Sequence, residues 1–175
     1  GALDTVAQCA ALAAALSPNG QKTRLIRPFA STGLWLREAL DTTFDPIHTT
    51  IRDHLRAEGA FRVVPLPEVP SPATGMIPDL SERMLSRLRK GWSKMDAEAR
   101  SGALSELLLP ALQNPTLSTP RLEELVWHRL LLGASDVDVM SQVHLAEQSW
   151  PSEAGKAKIH ASKLADSFLK TGLLI

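Results

Sequence analysis

Apolar residues recur at three- and four-residue steps along most of the chain, the spacing that gathers side chains onto one face of an α-helix. Near the start Leu3, Val6, Ala10, Ala13 and Leu16 keep this period. It breaks at Ser17-Pro18-Asn19-Gly20, where proline lacks the amide that would continue the hydrogen-bond ladder. A second helix is expected from Ser31, carrying Leu34, Trp35 and Leu40 and stopping within residues 41–45. Asp45-Pro46 is a cap followed by proline at the first helical position. A third helix should therefore begin there, with Ile47, Ile51 and Leu55 on one face, and end at Gly59, which adopts a left-handed conformation without cost. Phe61-Arg62-Val63-Val64, rich in β-branched and aromatic residues, is the best strand candidate.

Five of the twelve prolines then fall between Pro65 and Pro78, which disfavours helix interior and central strand and favours extended polyproline backbone. This stretch reads as a linker or wrapping segment. Pro67-Glu68-Val69-Pro70 matches the PxxP form but lacks a well-placed arginine, so a connector fits better than a ligand for a proline-binding domain.

Beyond it, Asp79-Leu80-Ser81-Glu82 reads as a capping box, with Asp79 accepting from a free amide and Glu82 reaching back, for a helix that runs to about Gly91. Ser93 and Asp96 repeat the device for a helix bearing Met95, Ala99, Ala103 and Leu107 and ending near Leu109, ahead of Pro110. Thr119-Pro120 opens the next, which is expected to carry Leu122, Leu125, Val126, Arg129 and Leu130 before stopping at Gly133. Ser135 and Asp138 cap another with Val139, Val143 and Leu145. Ser152 starts the last, which closes at Thr171-Gly172 before Leu173-Leu174-Ile175.

The pattern predicts an all-α fold of about seven to eight helices, a helical bundle with helix-turn-helix-like hairpins and one minor strand at residues 61–64. It divides into an N-terminal helical subdomain (1–64), the proline-rich segment (65–78) and a C-terminal helical bundle (79–175), unless all three form one continuous domain. Residues 34–64 and 137–175 each run helix, break, helix, glycine, apolar tail, the order of a helix-turn-helix followed by the first strand of a winged helix.

Composition narrows the function classes. With 44% hydrophobic and 22% charged residues the chain is globular, and nineteen Lys plus Arg against nineteen Asp plus Glu exclude the overall basic excess of a histone-like protein. Any basic surface must be local. The single cysteine, Cys9, cannot form an internal disulfide and is expected as a buried, inert thiol in an alanine-rich helix. No apolar run is long enough to span a bilayer, and the run over residues 10–16 has no basic segment before it, so it reads as a packed helix rather than a signal peptide. The lone cysteine suits a reducing, cytoplasmic setting, and suits an exported protein that needs no disulfide as well. Opening on Gly1 rather than methionine suggests a piece of a longer protein.

Two basic stripes are the most specific positive features. Arg83, Arg87 and Lys90 lie four and three residues apart, hence on one face, with Arg89 and Lys94 close by and no acid between Arg83 and Lys94. In the last helix Lys156, His160, Lys163 and Lys170 align opposite Ala157, Ala161, Leu164 and Phe168. Such faces contact a partner or nucleic-acid phosphates, or are simply solvated. Trp92 and Trp150, at breaks between helices, are candidate anchors for a partner unless they cover a core edge.

Other chemistry is not indicated. Glu124/His128 and His144/Glu147 could each face an ion from one helix, but His48 and His54 do not share a face, and neither HExxH nor a CxxC pair occurs, so no metal or other cofactor is expected. Glu123/Glu124 and Asp136/Asp138 suit helix starts, where negative charge meets the positive end of the dipole. No GxSxG elbow, GxxxxGK[ST] loop or GxGxxG turn is present, which argues against an enzyme. The expectation is a non-enzymatic helical binding module that acts within a larger assembly through protein–protein contacts. The alternative is a helix-turn-helix or winged-helix-like nucleic-acid-binding protein that uses the basic helix faces.

Overall fold

In a computed structural model, which describes residues 5–38, 46–133 and 135–174, the chain is all-α with a minor two-stranded antiparallel sheet. The described helices are α1 (Thr5–Leu16), α2 (Gln21–Glu38), α3 (Pro46–Ala57), α4 (Glu82–Gly91), α5 (Ala97–Leu112), α6 (Thr119–Trp127), α7 (Val139–Gln148) and α8 (Ala154–Thr171). The strands are β1 (Arg62–Val64) and β2 (Arg129–Leu131).

The local stop and start signals act as their chemistry dictates at several points. Gly59 and Gly172 have φ of +73° and +75°, and the Gly172 amide donates to the Phe168 carbonyl at 2.8 Å to close α8. Asp96 and Asp138 cap α5 and α7 by accepting from the amides of Ala99 (2.8 Å) and Ser141 (3.1 Å). Ser93 and Ser135, expected to share these caps, do not: Ser93 and Met95 fall before α5, which begins at Ala97, and the Ser135 hydroxyl bonds Val137. Pro46 occupies the first position of α3.

Elsewhere packing overrides local preference. Helix α2 begins at Gln21, well before the expected Ser31, and carries Pro28 in its interior. Proline removes one rung of the ladder, but Pro28 and Phe29 are buried, and Phe29 packs edge-on against Phe168 of α8 with ring centroids 4.8 Å apart. Helix α5 likewise continues past its expected end at Leu109, through Pro110 to Leu112, with Leu107, Leu108 and Ala111 buried on either side of the proline. The cap of α4 is Ser81, which accepts from the Met84 amide. Asp79 sits in the left-handed region (φ +57°), and Glu82 accepts from the Thr74 hydroxyl at 2.6 Å, so the expected box does not form. Helix α8 starts at Ala154 rather than Ser152, without a side-chain cap. In α3, Ile51 faces outward while Arg52 and Leu55 are buried. The side chains of Leu34, Trp35, Ile47 and His48 and all of Leu40 and residues 41–45 lie outside the described set.

The largest departure is β2. Arg129 and Leu130, expected in the helix that begins near Thr119, lie instead in a strand paired with β1 in the register Arg62↔Leu131, Val63↔Leu130, Val64↔Arg129. His128 leaves the helical region (φ −124°, ψ 47°), and all three β2 residues are buried. A short run buried on both faces has no alternation to distinguish it from a helix end.

The segment 65–78 contains two short 3-10 turns, Leu66–Glu68 and Thr74–Met76, and packs against α4 and α6 through the first of them. Leu66, Val69 and Ile77 are fully enclosed; Val69 joins Val64 and Leu131 in a small cluster, and the other two enter the main core. That core unites Phe29, Leu55 and Phe61 with Leu85, Leu104, Leu125, Met140 and Phe168. Neither of the helix–break–helix–glycine–tail runs, 34–64 and 137–175, pairs a strand within its own described residues. The strand of the first pairs with β2 rather than within its own unit, and the tail of the second forms no described strand, the Leu174 amide donating instead to the Gln142 side chain at 2.9 Å.

Candidate partner-binding surface

Helix α4 has three faces, which follow from its 100° step per residue. Leu85 points into the core. Arg83, Arg87 and Lys90 form an exposed basic edge, and Lys94, also exposed, lies in the turn Trp92–Lys94 that follows the helix. Between basic edge and core lie Met84 and Leu88, which with Met95, Ala103 and Leu107 of the following turn and α5 line a groove of about 230 Å³ that Arg87 and Glu106 flank. Arg83, Arg87, Lys90 and Lys94 make no ion pair with any described residue. Arg89 differs from them: it is half-buried, and its Nη2 donates to the Pro70 carbonyl at 2.7 Å, tying α4 to the proline segment.

Trp92 is not a surface anchor. Its ring is 4% exposed, its Nε1 donates to Glu68 at 2.9 Å, Arg100 lies over its face at 5.1 Å from the centroid, and Trp127 is 6.4 Å away. The core-edge role takes it. Trp150 is the opposite case, 47% exposed, with the His160 ring edge-on at 5.3 Å. The structure thus brings Trp150 together with one member of the α8 stripe. Lys156 of that stripe pairs with Glu153 at 2.9 Å, while Lys163 and Lys170 are exposed.

Helix α1 offers surface of another kind. It contains no charged residue and exposes Val6, Leu12 and Leu16, the last two by 60% and 78%. Cys9 is also exposed, contrary to the expectation of a buried thiol, because α1 packs mainly against α2 and leaves most of its circumference open.

The buried ionic groups are structural links between elements. Glu124, read from sequence as a helix-start charge, accepts from Arg52 of α3 through both oxygens and lies 3.2 Å from His128. Burial alone would raise its pKa, but His128 and Arg52 outweigh that and bring it from 4.5 down to about 2. Arg129 and Asp138 form a second pair, fully enclosed. The His144 pKa is lowered by burial and by the charge of Arg129, against an opposing pull from Glu147; its Nε2 meets Gln148 at 2.9 Å. Among the described residues no three His, Cys, Asp or Glu side chains are placed to share an ion, and no helix is long and apolar enough to cross a membrane.

Sequence reasoning missed the groove beside α4. Its faint signal is the spacing Met84, Leu88, Gly91, Met95, an apolar line adjoining the basic one. Compared with family models, curated proteins and solved structures, the chain matches none.

Proposed function

We propose that this chain is a non-enzymatic helical binding module that works within a larger assembly through protein–protein contacts. The observation that carries the reading is α1. A helix with no charged residue, open to water on most sides and exposing Leu12 and Leu16, offers phosphates nothing and offers an apolar protein surface a great deal. Burial of one such leucine on association is worth about 1.5–3 kcal/mol, enough to make the helix an energetic centre of an interface.

The test is affinity capture from native lysate with and without nuclease, run beside a Leu12→Glu/Leu16→Glu variant. Stoichiometric protein partners should persist under nuclease and be lost with the variant. Partners that vanish with nuclease, or that ignore the variant, would overturn the reading.

One observation favours nucleic-acid binding as a second reading: the four cations Arg83, Arg87, Lys90 and Lys94 have no ion partner among the described residues. Contacts from these groups to phosphate would release counterions, so affinity for mixed duplex DNA would fall steeply with salt and disappear in Arg83→Glu/Arg87→Glu/Lys90→Glu. Absence of binding at low salt would end that reading.

A further inference from the structure

We propose that the groove between α4 and α5 docks an acidic amphipathic segment of a partner protein, its apolar side chains inserted along Met84, Leu88, Met95 and Leu107 and its carboxylates facing Arg83, Arg87 and Lys90. The inference rests on the protein-binding reading but concerns a surface separate from α1.

Three observations converge on this occupant. Charge is the first: Arg87 lines the groove, and Arg83 and Lys90 stand beside it on the same exposed face of α4, all three without ion partners among the described residues, so the α4 side of the groove is complementary to an anionic partner while Glu106 flanks the α5 side. The second is the lining itself, which pairs two methionines with leucines; unbranched thioethers re-pack around an inserted side chain more readily than branched residues do. Met84 is partly open to water and so accessible to such an insertion. The third is size. At about 230 Å³ the groove falls below the range of roughly 300–1,000 Å³ usual for small-molecule pockets, but it accepts individual side-chain anchors. Together they describe helix-in-groove recognition, in which leucines at helical spacing enter an apolar slot and adjoining acids meet the basic edge.

A nucleic acid fits the same surface less well. Phosphates would satisfy the cations, yet they would leave the methionine-lined groove uncovered. Anionic lipid headgroups share that objection.

The proposal is tested by fluorescence anisotropy with the full chain and a labelled helical peptide carrying leucines at three- and four-residue spacing and glutamates on the neighbouring face. Saturable binding is expected, weakened about tenfold or more by Arg83→Glu/Arg87→Glu and to a similar extent by Met84→Lys, while the peptide with lysine in place of glutamate does not bind. Unchanged circular dichroism of both variants shows that the losses are not unfolding. Failure of the acidic peptide to bind the folded chain, equal binding of the lysine peptide, or indifference to Met84→Lys would each overturn the proposal. So would binding of a duplex oligonucleotide or of phosphatidylserine vesicles that Arg83→Glu/Arg87→Glu abolishes while the peptide stays unbound. The Leu12→Glu/Leu16→Glu variant keeps full peptide affinity, so failure here and failure of the α1 reading are read separately.

Discussion

Arg129 and Arg52 are both withdrawn from water and both joined to a carboxylate, yet their surroundings differ. Arg129 and Asp138 have fully buried side chains. Asp138 accepts the Ser141 amide through one oxygen, capping α7, and through the other meets Arg129 at 3.0 Å and the Ser141 hydroxyl. That hydroxyl also accepts from Arg129 (2.7 Å) and from the Ala73 amide (2.7 Å), so β2, α7 and the proline segment meet at one point. Arg52 and Glu124 are nearly as buried, but their neighbours Asp53 and His128 are 56% and 32% exposed. Water reaches the rim of that cluster. The difference teaches that burial of a charge pair is less decisive than whether a surviving charge can find solvent once its partner is gone.

The sharpest test is Asp138→Ala, which strands Arg129 inside the protein and removes the cap of α7. A loss of about 3–5 kcal/mol in urea unfolding is expected, and the charge-free pair Arg129→Met/Asp138→Asn should recover much of it. A loss no greater than that of Glu124→Ala would break the comparison. Glu124→Ala itself should cost about 2 kcal/mol, less because Arg52 retains Asp53 and turns toward water.

Acid probes the Arg52–Glu124 cluster on its own. The Glu124 pKa is about 2 in the folded protein against 4.5 as its ordinary value. A carboxylate depressed on folding stabilises above its unfolded pKa, and that contribution drains away as pH falls from 4.5 toward 2. Stability followed by denaturant titration over that window should decline less steeply in Glu124→Gln than in the parent chain; identical acid profiles would show that Glu124 contributes nothing. The smallest effect belongs to Asp53→Ala, the exposed partner of Arg52, at under about 1 kcal/mol, and a larger loss would mean that the open rim matters as much as the enclosed pair.

These clusters also mark where sequence reading ends. Caps at Asp96 and Asp138 and the glycine stops at Gly59 and Gly172 are legible because each acts within a turn of its own position. The start of α2 and the passage of α5 through Pro110 are not, since both depend on packing that outweighs a lost backbone bond. Strand β2 exists because β1 supplies its hydrogen bonds from far along the chain, and nothing within Arg129-Leu130-Leu131 announces that. The basic edge of α4 is readable from spacing alone. Its groove is not, because Ala103 and Leu107 come from across a helix break, and the burial of Trp92 depends on Glu68 and Arg100, which hold it from other elements.

The β1–β2 ladder carries a consequence for time as well as shape. Its three residue pairs close a loop that contains the proline segment, α4, α5 and α6. Individual helices form in about a microsecond, but that long loop must lose its entropy before the ladder and the core around it return any stability. Folding of this helical protein therefore includes a search that its helix content does not reveal, one that must bring Val63 to Leu130.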